Sequence, residues 1–181
     1  CLCLLGSSCK IMKALVTGGG GFLGGAICRM LKERGDEAHS FSRSNYPKLK
    51  ELEIKQIQGD IGNEASILRA AEGCDTVFHV AAKAGVWGSF DDYRRANVVG
   101  TENVIRVCRK LRIKRLVYTS SPSVVFDGTD MEGVDESVSY PDHYHAFYPQ
   151  TKAMAEKLVL AANDEALSTV SLRPHPIWGP G

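Results

Sequence analysis

Polar and apolar residues alternate along the chain in two rhythms. Short segments at residues 14–16, 37–41, 54–58, 76–80, 116–119 and 169–172 read as strands, with Thr76-Val77-Phe78-His79-Val80 the most continuous apolar run. Between them apolar residues recur at helical spacing. Ala26, Ile27, Met30 and Leu31 form one such stripe, closed by Gly35, and Ile67, Leu68 and Ala71 a shorter one. A longer stripe carries Val98, Val99, Val104, Ile105, Val107 and Cys108, and residues 148–162 carry Ala155, Leu158, Val159 and Ala162. Residues 127–145 are rich in Asp, Gly, Ser, Pro and Tyr and read as a surface loop, and Pro174, Pro176 and Pro180 place another loop after the last strand. Strands alternating with helices predict βαβ units, hence an α/β domain with a doubly wound parallel sheet. Because Met12-Lys13 leads directly into the first strand, residues 1–11 are expected to be an extension outside the fold and residues 12–181 the domain. A chain ending on Gly181, just past a strand, leaves little to shape a substrate pocket, so the domain is expected to be a fragment without its C-terminal substrate-binding portion.

Composition narrows the picture without redirecting it. The chain has 181 residues, 44% hydrophobic and 24% charged, with 22 Lys and Arg against 21 Asp and Glu for a formal charge of +1. That balance gives no reason to expect nucleic acid as a partner. No apolar run approaches the ~18 residues of a membrane span. Six cysteines without C-x-x-C zinc spacing are expected to be reduced, mostly buried thiols, pointing to the cytoplasm.

The strongest chemical signal is Thr17-Gly18-Gly19-Gly20-Gly21-Phe22-Leu23-Gly24, between the first strand and the first helix. It reads as G-x-x-G-x-x-G on Gly18, Gly21 and Gly24, and as G-x-G-x-x-G from Gly19. A dinucleotide pyrophosphate needs a tight turn, bare backbone and a free helix N-terminus, which this segment supplies at the first βα turn. The second strand should end on the adenosine ribose. There the chain reads Phe41-Ser42-Arg43-Ser44, with a guanidinium in place of the usual carboxylate. Arg43 would welcome a 2′-phosphate that a carboxylate would repel, so NADP(H) is favoured and NAD(H) is the alternative.

Tyr148-Pro149-Gln150-Thr151-Lys152 places a phenol and an ammonium on one helical face. A free phenol titrates near pH 10, too high for acid–base work at neutral pH. A cation at about 4 Å supplies up to about 4 kcal/mol at an effective dielectric of ~20, enough to lower the phenol by two or three units. Thr119-Ser120-Ser121 closes the fifth strand, where a hydroxyl could hold a carbonyl in line with the phenol.

These motifs together resemble the extended short-chain dehydrogenases/reductases of the epimerase and 3β-hydroxysteroid dehydrogenase type. The resemblance runs from Met12 to Gly181 and includes Gly59-Asp60-Ile61, His79-Val80-Ala81-Ala82, Asn97-Val98-x-Gly100-Thr101 and Leu172-Arg173-Pro174. It implies that Ser121, Tyr148 and Lys152 are catalytic, with Tyr148 the acid–base and Lys152 also a ribose ligand. It further implies that Gly18, Gly21, Phe22, Leu23 and Gly24 hold the pyrophosphate, Asp60 and Ile61 flank the adenine, Ala81 and Ala82 line the cleft, and Pro174 sits by the nicotinamide. Asn97 matches a helix asparagine near the active site. The stretches from Ala81 to Ser89 and from Arg173 to Gly181 resemble the NADPH-dependent 2-alkyl-3-oxoalkanoate reductases, with sterol-type 3β-hydroxy dehydrogenases as close relatives. The implied activity interconverts a secondary alcohol and a ketone on a small molecule, either a lipid-like β-keto acid or a sterol-like ketone. A nucleotide-sugar epimerase or dehydratase and a non-catalytic NADP-binding module are the rival readings, and the resemblance leaves room for a homodimer.

Other eye-catching residues have plainer readings. His79 ends an apolar strand and is expected to be structural. Trp87 either closes over substrate or packs, and Asp91-Asp92 with Arg94-Arg95 mark a solvated helix start. His143, His145 and His175 have no metal-like partners, and no metal is expected.

Overall fold

A computed structural model of the chain describes residues 11–129 and 131–179. The expected extension, apart from Ile11, lies outside the described residues, as do Cys1, Cys3, Cys9, Pro180 and Gly181. Six strands make one sheet: β1 (Lys13–Thr17), β2 (Glu37–Ser42), β3 (Lys55–Gln58), β4 (Thr76–His79), β5 (Arg115–Thr119) and β6 (Ser168–Leu172). Their order is β3-β2-β1-β4-β5-β6, and every neighbouring pair is parallel. The helices are α1 (Phe22–Glu33), α2 (Pro47–Glu51), α3 (Glu64–Ala71), α4 (Phe90–Tyr93), α5 (Gly100–Leu111) and α6 (Phe147–Ala161). Residues Arg94–Val99 join α4 to α5 in a wider π-helical turn. The helix expected there therefore exists, but with a change of pitch at Asn97. Its start carries a capping box, Ser89 accepting from the Asp92 amide while the Asp92 carboxylate accepts from that of Ser89.

Alternation along the strands sorts the core into two layers. Leu15, Phe41, Val77, Leu116 and Tyr118 face α3, α5 and α6, meeting Ile67, Val104, Val107, Ala155 and Val159. Ala14, Val16 and Ala38 point the other way, onto Cys28 and Leu31 of α1 and Leu49 of α2. Each fully buried Leu, Ile or Val contributes about 1.5–3 kcal/mol relative to exposure. The second layer runs out before β6, where Val170 and Leu172 are 44% and 52% exposed. Among the described residues no helix is long and apolar enough to cross a membrane.

Parallel strands all point one way, so the segments that follow them collect at one edge. The strand order reverses between β1 and β4, which opens a crevice at their carboxyl ends. The glycine turn follows β1, and Ala81 lies just beyond β4.

Candidate active site

The glycine turn is built by close contacts that only some of its glycines require. Gly18 has φ +71, and a Cβ there would lie 2.9 Å from the Ala81 amide nitrogen. A Cβ on Gly24 would come within 2.2 Å of the Gly18 carbonyl, so α1 packs onto the strand end only through a bare backbone. Gly21 differs: it caps α1 with extended backbone, and a Cβ there would meet only the Gly18 oxygen at 3.4 Å. No side chain caps α1 and no acid sits in its first turn, where Phe22 and Leu23 follow Gly21. An uncapped helix end beside a bare, exposed glycine fits a pyrophosphate.

The neighbouring strand ends complete this half of the edge. The Gly20 amide donates to Ser42 Oγ at 3.2 Å, tying the turn to the end of β2. The Tyr46 ring lies where a Gly20 Cβ would be, and the Tyr46 backbone is clamped by the Gln56 amide at 2.7 and 3.1 Å. Arg43 is exposed and makes no ion pair among the described residues, which leaves its guanidinium available to a phosphate. Asp60 accepts from the Gly62 amide at 2.7 Å and pairs with Arg95 at 2.6 Å, so its carboxylate is already engaged. Ile61 packs against Gly100, and its carbonyl accepts from Asn103 Nδ2 at 3.0 Å.

Beyond β4, Ala81 is half-buried and donates to Thr17 Oγ1 at 3.2 Å, while Ala82 is exposed. Asn97, fully buried in the π-helical turn, holds the following loop by both ends of its amide. It accepts from the Lys83 amide at 2.7 Å and donates to the Lys83 carbonyl at 3.1 Å. The same Nδ2 donates to Thr151 Oγ1 at 3.0 Å, between Tyr148 and Lys152 on α6. Tyr93 donates to the carbonyls of Gly85 at 2.7 Å and Trp87 at 3.2 Å, so this loop is pinned while the Trp87 side chain is 86% exposed.

The other half of the edge is a cavity of about 1120 Å³ whose lining includes Ser121, Tyr148, Glu156, Arg173, Pro174 and His175. Burial raises the Tyr148 phenol, while the neighbouring Ser121 hydroxyl pulls it down. Ser121 Oγ is also 2.8 Å from Ser123 Oγ and accepts from the Ser123 amide at 3.3 Å. Lys152, expected to lower the phenol, is engaged at the end of β5. Its ammonium donates to the Thr119 carbonyl at 2.6 Å and lies 4.1 Å from the centre of the Tyr118 ring. Burial takes it down to about 7, against an upward pull from Glu156. The ammonium is thus committed to the strand end, with burial making its charged form harder to keep.

Glu156 is a residue the sequence reading missed. It lies on the same helical face as Tyr148 and Lys152, at successive fourth positions, with no exposed surface. Arg173 holds it at 2.6 Å, Tyr140 donates to it at 2.6 Å and Ser171 at 2.9 Å. These contacts keep its carboxyl below the ordinary range despite burial. The Tyr140 ring also takes the Lys157 ammonium at 4.4 Å from its centre, so the segment expected to be surface loop is anchored at that point. A glutamate four places beyond a candidate lysine was the available signal, but its partners come from distant parts of the chain.

A model of the 3-beta hydroxysteroid dehydrogenase/isomerase family matches residues 15–181. The chain is 55% identical over 172 residues to a 2-alkyl-3-oxoalkanoate reductase of Stenotrophomonas maltophilia (strain K279a), covering 94% of this chain and 52% of that protein. It is 48% identical over 178 residues to a 2-alkyl-3-oxoalkanoate reductase of Shewanella oneidensis, covering 94% of this chain and 46% of the relative. The chain thus spans about half the length of the curated relatives it matches. A solved UDP-glucuronic acid 4-epimerase from Bacillus cereus, in complex with NAD, superposes with a TM-score of 0.78 at 26% identity, covering 93% of this chain and 58% of that one.

Proposed function

Because the chain belongs to the 3-beta hydroxysteroid dehydrogenase/isomerase family, we propose that it forms the cofactor-binding and catalytic part of an NADP(H)-dependent oxidoreductase that interconverts a ketone and a secondary alcohol. The observation that carries this is that Ser121 and Tyr148 line one cavity together with Pro174. The substrate we favour is a 2-alkyl-3-oxoalkanoate, in line with the two reductases reported above. A sterol-type ketone or alcohol is the next candidate.

The glycine turn, with Gly18, Gly21, Phe22, Leu23 and Gly24, would hold the pyrophosphate, and Arg43 the 2′-phosphate. Asp60 and Ile61 would flank the adenine, Ala81 and Ala82 the cleft, and Pro174 the nicotinamide. When bound, the reduced cofactor supplies hydride to the carbonyl carbon. Ser121 orients the carbonyl oxygen, and Tyr148 donates the proton that completes the alcohol. Tyr148 is protonated at neutral pH as any phenol is, which is the form that donates in the reducing direction. Lys152, which fastens the end of β5 to α6, would support Tyr148 as its cationic partner and help hold the cofactor ribose. The buried, unpaired Cys28, Cys74 and Cys108 support a reducing compartment such as the cytoplasm.

The test is direct. The full-length protein is mixed with NADPH or NADH and a panel of β-keto acids, ketosteroids and nucleotide sugars. Oxidation of NADPH by β-keto acids, with Arg43→Ala weakening NADPH selectively by about 1.5–3 kcal/mol, is expected. Turnover confined to nucleotide sugars, or equal loss of both cofactors in Arg43→Ala, sinks the reading.

A further inference from the structure

His79 is buried at the end of β4 and takes no part in the chemistry described above. Both its ring nitrogens are nevertheless bound. Nδ1 is 2.7 Å from Thr17 Oγ1, and Nε2 is 3.0 Å from Thr101 Oγ1. Thr101 donates its hydroxyl proton to the Asn97 carbonyl at 2.6 Å, so it can only accept from the ring. Nε2 therefore carries the proton. A neutral ring then has a bare Nδ1, which accepts from the Thr17 hydroxyl. Thr17 Oγ1 in turn accepts from the amides of Val80 at 3.1 Å and Ala81 at 3.2 Å. Every donor and acceptor in the chain is used, in one direction, from the Ala81 amide to the Asn97 carbonyl.

The two ends of this chain are functional places. At one end the Ala81 backbone backs onto Gly18 in the glycine turn, at the 2.9 Å approach that excludes a side chain. At the other, Asn97 binds Thr151, between Tyr148 and Lys152. A buried polar chain contributes little net stability over an apolar one of the same shape. What it adds is a fixed geometry, because the direction of donation is set at every link. Thr17 and His79 face each other in the β1–β4 register, at the reversal of strand order.

We propose that His79 is a positioning residue that, as the Nε2–H tautomer, locks the cofactor cleft at Thr17 and Ala81 to the helix carrying Asn97, and through Asn97 to the catalytic helix. The proposal rests on the reading that this cleft takes a dinucleotide. A neutral ring is also what its surroundings favour, since burial and the nearby Lys152 take it down to about 3.

The experiment uses the full-length protein and reads three quantities: NADPH affinity by fluorescence titration, kcat against KM for the ketone, and the histidine tautomer by nitrogen-15 spectra. His79→Leu removes both links and is expected to weaken NADPH roughly fivefold to thirtyfold and to lower kcat, with KM for the ketone unchanged. His79→Asn offers an amide oxygen to Thr17 but does not reach Thr101, so it should recover NADPH affinity without recovering kcat. If His79→Leu does not fold, Thr101→Val, of nearly the same volume, serves in its place and should lower kcat. A folded His79→Leu or Thr101→Val protein with native affinity and native kcat overturns the proposal, as does an Nδ1–H tautomer in the wild type. A wild type that binds neither NADPH nor NADH overturns the dinucleotide reading itself, and this inference with it.

Discussion

Arg173 and Glu156 join the end of β6 to the middle of α6, with the guanidinium at 2.6 Å from a carboxylate that has no exposed surface. The pair lines the same cavity as Tyr148 and Ser121. Removing one partner leaves the other charged and buried. Arg173→Met should therefore cost about 3–5 kcal/mol, and the double variant with Glu156→Leu distinctly less. Urea denaturation of the three proteins measures this, and a single variant within about 1 kcal/mol of wild type would show that solvent reaches the pair.

Tyr148→Phe removes one oxygen and no packing. Turnover should fall about 10²–10⁴-fold while NADPH affinity stays close to wild type. Ser121→Ala should likewise act on turnover, having lost the bond to the growing charge on the substrate oxygen. Near-normal turnover by Tyr148→Phe would leave the domain as a dinucleotide-binding module without chemistry of its own.

The glycines of the turn should separate by function. Gly21→Val adds atoms where the protein offers space, so the fold should survive and cofactor binding should be lost. Gly24→Val drives atoms into the Gly18 carbonyl and should damage stability first. Thermal denaturation beside cofactor titration distinguishes them, and a Gly21→Val protein that binds NADPH normally would reduce Gly21 to a turn residue.

His79 also sets a dependence on acidity. Its folded value of about 3 lies below the ordinary 6.5, so between these limits the unfolded chain binds a proton that the folded chain refuses. The resulting stability is fully present above pH 6.5 and lost as pH falls toward 3. Denaturation midpoints from pH 7 to pH 4 should drop more steeply in the wild type than in His79→Asn. Parallel slopes would mean that the ring titrates normally in the fold.

The sequence made some of this legible and hid the rest for identifiable reasons. All six strands and the glycine turn could be read because each is announced locally, by an apolar run or by glycines at fixed spacing. The short helix Pro47–Glu51 was missed because it buries only Leu49 and so shows no periodicity. The pitch change at Asn97 was invisible because a π-helical turn keeps the side-chain types of an α-helix. Tyr148 and Lys152 sit at the expected spacing, but the direction of Lys152 is decided by the Thr119 carbonyl, more than thirty residues away in sequence. Spacing states which face of a helix a residue occupies. It does not state which partner across the core that residue will choose.

The uncovered flank of β6 bears on how the protein behaves in bulk. Among the described residues β6 is an edge strand of the sheet, where Val170 and Leu172 stand half exposed, Leu172 on the same cavity as the exposed Phe126 and Ile177. Asn163 Oδ1 already takes the Thr169 amide at 2.9 Å, and the rest of this short edge, flanked by apolar side chains, is a place on which another strand can add. Unless another part of the protein covers it, this flank makes the domain's colloidal behaviour a matter of concentration. Dilute samples should scatter as single particles, and crowded ones should grow by addition at this edge.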